Sequence, residues 1–194
     1  MKKLLILLAA ALLSGCITKT AIHLPSPPYA DIPGDYSLDD AKRDLCVVFE
    51  DGDITSGQAL WDGFAVRAGR GQPCAVRLAW YYTLDESRVS LEYYAANKDN
   101  YPVMYIQDLS FDGKLFHLYW VEGGSEYTRE YRYMKRFDGS MRQGALYSGY
   151  VRYVLLNDET VRSWEQIETQ MLSSVWLPET GRIEFSTVYL KYIP

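Results

Sequence analysis

The chain has 194 residues, 48% of them hydrophobic and 23% charged, with a formal net charge of −5. That length bounds it to one domain or a domain with a tail, and the balance is globular, which excludes a disordered, collagenous or multi-span membrane chain. The acidic balance argues against the basic footprint of a nucleic-acid binder, so no nucleic acid is expected as a partner. The unusual count is tyrosine, 17 against 6 phenylalanines.

Lys2 and Lys3 precede an unbroken apolar run from Leu4 to Leu13. The run is about half of the roughly 20 residues a helix needs to span a bilayer, and it has the length of a signal-peptide h-region. It ends in Leu13-Ser14-Gly15-Cys16. This quartet resembles the lipobox of bacterial lipoproteins: an aliphatic residue, two small ones, then the cysteine that receives the lipid. The resemblance implies that residues 1–15 are a lipoprotein signal peptide and that Cys16 is lipidated and becomes the mature N-terminus. The partner is then a membrane, held through an N-terminal lipid, and two or more acyl chains give stable attachment. The expected location is the cell envelope, outside the cytoplasmic membrane. In a Gram-positive cell that is the outer face of the plasma membrane. In a Gram-negative cell, Ile17 in place of Asp implies outer-membrane sorting. Loss of Lys2 and Lys3 with the signal peptide takes the net charge from −5 to −7. Anionic headgroups repel such a body, which leaves attachment to the lipid.

Residues 16–35 carry Pro25, Pro27, Pro28 and Pro33, and read as a semi-rigid spacer lifting the domain off the membrane. Ile22, Leu24 and Tyr29 leave open a segment packed across the domain instead. A single domain is expected over 36–194. Ser37-Leu38-Asp39-Asp40 has capping-box form and opens a short helix. Cys46 to Phe49 reads as a strand, Glu50-Asp51-Gly52-Asp53 as a turn, and Thr55-Ser56-Gly57-Gln58 as the start of a helix with Leu60, Phe64 and Val66 inward. Gly69, Gly71 and Pro73 end that helix. In the strand Ala75–Tyr82, Val76, Leu78, Trp80 and Tyr82 share a face, with Arg77 and Tyr81 opposite. Val89, Leu91, Tyr93 and Ala95 alternate as a further strand. Tyr101–Phe111 and Leu115–Glu122 flank Asp112-Gly113, a two-residue hairpin signal. Residues 127–134 alternate as one strand, with Asp138-Gly139 as the next turn. Ala145–Leu156 is a strand. Ser163-Trp164-Glu165-Gln166 caps a helix with a stripe of Val161, Trp164, Ile167, Met171 and Leu172, and Ile183–Tyr192 is the last strand.

The fold class is therefore α+β: a strand–helix–strand unit leading into an antiparallel meander, with two or three helices on one face. This order of parts, with the lipobox and the segment from Asp51 to Tyr82, resembles uncharacterised lipoprotein domains common in Gram-positive bacteria. The resemblance runs from Ser37 to the C-terminus. It implies a fold and transfers no catalytic residue.

Cys46 and Cys74 lie at the starts of two strands expected to be parallel. In an oxidising compartment that favours a disulfide between them, with two free buried thiols as the alternative. Histidine is limited to His23 and His117, so no histidine-ligated metal and no cofactor are expected. The acidic turn 50–53 lacks the spacing of an EF-hand loop. Glu92 and Asp108 are the pair a carboxylate-based hydrolase would need, but nothing in the sequence brings them together. No nucleophile motif is present. Tyr81, Tyr94, Arg129, Tyr131, Arg132 and Tyr133 are the candidates for a binding face, because tyrosine and arginine dominate binding hot spots and aromatic platforms stack on sugar rings. The alternative is that these residues are half-buried strand formers. The sequence thus points to a non-enzymatic, lipid-anchored envelope protein that binds a glycan or an envelope protein. An envelope hydrolase with paired carboxylates and a protein inhibitor or assembly factor remain alternatives.

Overall fold

A computed structural model describes residues 25–142, 144, 146–172 and 182–194. Residues 1–15, expected to be a signal peptide, and Cys16, Ile17 and His23 lie outside the described residues. The fold is α+β. A six-stranded sheet has the order β2-β1-β3-β4-β5-β6, and a three-stranded antiparallel sheet has the order β7-β8-β9. Among the described residues no helix is long and apolar enough to cross a membrane.

Helix α1 (Leu38–Arg43) opens on the expected capping box, with Ser37 and Asp40 bonded reciprocally. Strand β1 (Val47–Glu50) then turns through Asp51-Gly52 into β2 (Asp53–Ser56), a strand the sequence reading passed over. Both turn residues have positive φ, 49° and 90°, as a tight two-residue hairpin requires. Helix α2 (Gln58–Gly69) follows Gly57, which sits at φ 77° where an added Cβ would meet the Cys46 carbonyl oxygen at 2.5 Å. Only glycine fits there. The buried stripe of α2 is Trp61, Phe64 and Ala68; the expected Leu60 and Val66 are exposed. Strand β3 (Cys74–Tyr82) pairs in parallel with β1, completing the strand–helix–strand unit.

The segment expected as a strand from Val89 is instead helix α3 (Leu91–Asn97). The Ser90 hydroxyl accepts from the Tyr93 N–H and caps it. Strands β4 (Val103–Phe111), β5 (Phe116–Glu122) and β6 (Ser125–Tyr131) continue the sheet antiparallel. The single strand expected over 127–134 is broken at Arg132, where the chain leaves one sheet for β7 (Tyr133–Ser140) of the other. Asn157 bridges this switch: its side chain accepts from the Arg132 N–H and donates to the Glu130 carbonyl. Strands β8 (Gly149–Leu156) and β9 (Phe185–Ile193) complete the second sheet, with α4 (Trp164–Leu172) packed on it through Trp164 and Ile167.

The main core lies between the sheets. Phe49, Val76, Leu78, Leu109, Phe116 and Leu118 meet α2, Val188 and Tyr189 there. A register shift opposite Tyr153 and Val154 brings the consecutive residues Val188 and Tyr189 both inward. The opposite face of β1 and β3 is covered by α1, with Ala41, Cys46, Val48 and Ala79 buried together.

The expected disulfide is not formed: Cys46 and Cys74 are free and buried. Val47 pairs with Leu78, so Cys46 falls beside Arg77, and Cys74 lies further back along β3 by about 10 Å of strand rise. The two also face opposite ways. Cys46 points toward α1, whereas the Cys74 thiol contacts the Phe64 carbonyl in the main core. Burial pushes both thiols up from their ordinary value.

The stretch 25–35 lies along the outer sheet face. Arg77, only 1% exposed, grips the Asp108 carboxylate with two bonds of 2.6 and 2.8 Å and donates to the Pro27 carbonyl at 2.7 Å. The Tyr29 ring meets Tyr119 edge-on. Of the two readings of this segment, the packed one describes residues 25–35, and it explains why Arg77 is buried on the face opposite Val76 and Leu78.

Removing one partner of a buried ion pair leaves an uncompensated charge and costs about 3–5 kcal/mol, while replacing both by apolar groups is close to neutral. Asp108→Ala should lower the unfolding free energy in urea by about that amount, and Arg77→Met with Asp108→Leu should recover most of it. At the α1 cap, the Ser37 hydroxyl and N–H, with Arg43, hold the Asp40 carboxyl down at about 2. A depressed carboxylate stabilises fully above its unfolded value of about 3.9 and loses that contribution as the pH falls through its folded value. The stability difference between the wild type and Asp40→Asn should therefore shrink below about pH 4 and vanish near pH 2 in acid titrations.

Candidate functional site

The inner face of the six-stranded sheet changes character along its strands. On β3 it runs Val76, Leu78, Trp80, Tyr82, and on β4 the partners are Leu109, Gln107, Tyr105, Val103. The apolar end is covered by α2 and β9. The aromatic end is not, and a cleft of about 470 Å³ opens between it and the second sheet. Trp80, Tyr82, Tyr105 and Gln107 line one wall, and Arg152, Thr187 and Leu190 line the other. Gly52 of the β1–β2 turn lies at the rim, with Tyr192 beside it.

The wall is ordered by its own contacts. Trp80 stacks on Phe49 with ring centroids 4.0 Å apart, and its indole N–H donates to Gln107 Oε1 at 3.1 Å. Tyr82 meets Tyr105 at 6.2 Å in a T-shaped pair. Burial, then the neighbouring Tyr105 and Asp51, push the Tyr82 phenol up, so it stays a neutral hydrogen-bonding group at neutral pH. Tyr105 is 54% exposed. Opposite, the Arg152 guanidinium lies 3.7 Å over the Trp164 ring and 5.4 Å from the Tyr150 ring. Its Nε is buried without a hydrogen-bond partner, and burial lowers its pKa from the ordinary arginine value. The nearby Asp51 carboxylate is engaged elsewhere, accepting from the N–H and hydroxyl of Thr83.

A second cavity of about 400 Å³ adjoins the first, sharing Tyr105 and Gln107. Strands β4 and β5 are paired only from Asp108–Tyr119 to Phe111–Phe116, and beyond that they part. The Tyr29 hydroxyl enters the gap, accepting from the Val121 N–H at 3.2 Å and donating to the Ile106 carbonyl at 3.0 Å. On the inner side Trp120 stacks on Tyr127 at 5.3 Å, with the Arg129 guanidinium 5.6 Å from the Trp120 ring. Glu122 also lines this cavity.

The binding face expected from sequence does not assemble. Tyr81 points to the outer side, lining a cavity under Pro33 and Tyr36. Tyr94 is on α3. Tyr131 is fully buried, its hydroxyl 2.7 Å from Ser186 Oγ. Arg132 marks the sheet switch, and Tyr133 belongs to the second sheet, donating to Glu159 at 3.4 Å. Arg129 alone of the six lines the groove. The reason is the break at Arg132: residues that alternate along one strand in sequence are divided between two sheets. The residues missed are Trp80, Tyr82, Tyr105, Gln107 and Arg152. The change from aliphatic to aromatic along the shared face of β3 was their only signal.

The expected carboxylate pair is also dispersed. Asp108 is held by Arg77 on the outer face, and Glu92 is exposed on α3. Resolved shifts of the described carboxyls, at Asp40, Glu50, Asp85, Asp112 and Asp158, are all downward. In the 50–53 turn each acid serves a different neighbour: Glu50 pairs with Lys42 at 2.7 Å, Asp51 caps Thr83, and Asp53 accepts from the Ile54 N–H. His117 sits between Asp112 and Glu130, both at 3.3 Å, on the face away from the groove.

Tyr29→Phe removes one hydroxyl that satisfies two backbone groups. It should cost about 1–3 kcal/mol in chemical denaturation and speed hydrogen exchange at the Val121 amide, while exchange at Leu118 on the paired part of β5 is unchanged.

No family model matches the chain, and the searches of curated proteins and of solved structures found no match either, so the groove between the sheets is what a functional reading has to rest on.

Proposed function

We propose that this is a lipid-anchored cell-envelope protein whose α+β domain binds a ligand, without turning it over, in the groove between its two sheets. The anchor rests on the lipobox and Cys16. The binding reading rests on one observation: two adjoining cavities, joined at Tyr105 and Gln107, carry exposed aromatic rings and an arginine each. A concave site with large planar rings and a few polar groups is the usual form of a ligand pocket. Rings offer contact area at little entropic cost, and Gln107, Thr187 and the Tyr82 hydroxyl supply hydrogen bonds that fix orientation. The hydrolase alternative needs two converging acids, and Glu92 and Asp108 are not such a pair.

Two experiments test this. In a bacterial host fed an alkyne fatty acid, the full chain should acquire the label and Cys16→Ser should lose it; labelling of Cys16→Ser would contradict the anchor. In pull-down on isolated cell walls, Tyr82→Ala with Tyr105→Ala should weaken retention at least tenfold, about 1.4 kcal/mol, while Tyr133→Ala leaves it unchanged. Equal retention of all three proteins would contradict the groove.

A further inference from the structure

The groove pairs aromatic platforms with cations twice. At one station Tyr82 and Tyr105 line the same cavity as Arg152, whose guanidinium lies over Trp164; at the other Trp120 and Tyr127 lie beside Arg129. The two stations are continuous through Gln107, which lines both cavities.

Arg152 is the more constrained cation. Its guanidinium carbon lies 3.7 Å over the centre of the Trp164 ring, and the side chain is half-buried. Among the described residues it forms no ion pair, although the chain carries 25 acidic residues. Its Nε has no hydrogen-bond partner. Glu168 is felt by it only electrostatically, from α4, and the Asp51 carboxylate beside Tyr82 is bound to Thr83. A desolvated guanidinium is the group best suited to a carboxylate, because its planar donors match two oxygens at once. The first cavity has no acid among its described lining residues, and the Asp51 carboxylate near Tyr82 is taken up by the Thr83 N–H and hydroxyl. At the second station Glu122 lies opposite in sign to Arg129, which leaves Arg152 as the principal anchor.

We propose that the ligand of this groove is an acidic saccharide, a chain of pyranose rings bearing carboxylates, with one carboxylate read by Arg152 and its ring lying on Tyr82 and Tyr105. This deepens the binding reading above and rests on it. Two platform–cation stations along one groove suit a polymer that repeats a flat ring and a negative charge. A simple peptide C-terminus would fill one station and leave the other idle.

The test uses the full chain in neutral detergent and a panel of carboxylated glycans: polygalacturonate, hyaluronate and muramate-containing cell-wall fragments, with fully methyl-esterified polygalacturonate and a neutral dextran as controls. Binding is read by isothermal titration and by fluorescence, with Trp80→Phe identifying the reporting ring. The expected result is binding to at least one acidic glycan, at least tenfold weaker for its esterified or neutral counterpart, and weaker as salt rises. Arg152→Gln should lose the preference for the acid, Arg152→Lys should restore part of it, and Arg88→Gln, outside the groove, should change nothing. The esterified polymer changes only the ligand, so the result stands even if Arg152→Gln fails to fold. Equal affinity for acidic and neutral polymers, sensitive to Tyr82→Ala, would overturn the acidic ligand and keep the groove. No affinity for any of the glycans would overturn the saccharide while the cell-wall retention still tests the groove. Tight acid binding insensitive to both Arg152→Gln and Tyr82→Ala would overturn both.

Discussion

Tyr189 is the ring on which both sheets rest. It stacks on Trp61 of α2 at 4.7 Å and meets Phe49 of β1 and Tyr153 of β8 edge-on at 5.8 and 5.5 Å. Its hydroxyl donates to Gln58 at 2.9 Å. One side chain thereby ties the six-stranded sheet, the three-stranded sheet and the helix between β2 and β3. Edge-to-face and offset-stacked rings contribute about 0.5–1.5 kcal/mol each beyond the area they bury, so this cluster is a stiff joint. The joint sits at the apolar end of the inner face. Phe49 passes the contact on to Trp80 by stacking, and beyond Trp80 the sheets separate. The groove is the consequence: the spacing set at Tyr189 is held, and no further core residue fills the gap.

The outer face depends on a different device. There the Pro-rich stretch lies over β3, β4 and β5, fastened by Arg77 to Pro27 and by Tyr29 to Val121 and Ile106. The Tyr29 hydroxyl takes the place of ladder bonds that β4 and β5 do not make with each other. A strand pair can open in this way only if its backbone groups find other partners, since buried unpaired donors and acceptors are costly. The segment that follows Leu13-Ser14-Gly15-Cys16 in sequence is therefore part of the folded body from Pro25 onward, and Tyr29 closes the back of the second cavity.

Much of the architecture was legible in sequence, because it rests on local chemistry. The Ser37–Asp40 cap, the parallel pairing of β1 with β3 and the Val161, Trp164 and Ile167 part of the α4 stripe follow from capping and periodicity, whereas Met171 and Leu172 of that stripe are exposed. The Asp-Gly pairs show where local signals stop. Asp51-Gly52 makes a two-residue hairpin, Asp112-Gly113 lies in a four-residue loop closed by the Asp112 N–H on the Leu115 carbonyl, and Asp138-Gly139 sits inside β7 with the Tyr150 ring over Gly139. The same dipeptide takes three conformations because cross-strand register decides between them. The sheet switch at Arg132 and the helix at Leu91 were hidden for a related reason. Alternation is compatible with either side of a break, and a serine cap overrides a short alternating run. The site was the least legible part, since it joins β3 and β4 to β8 and β9 across 45 to 110 positions of sequence.

The tyrosine excess divides into a joint and a rim. Tyr131 and Tyr189 are buried at 0% and 3% exposure, whereas Tyr105 and Tyr127 stand at 54% and 44%. Tyrosine nitration mapped by mass spectrometry, with and without an acidic oligosaccharide, tests the central claim that the rim is a ligand site. Tyr131 and Tyr189 should resist nitration in the folded protein, and ligand should protect Tyr82 and Tyr105 but not Tyr93 on α3. Identical nitration of Tyr82 and Tyr105 with and without saturating ligand would contradict it.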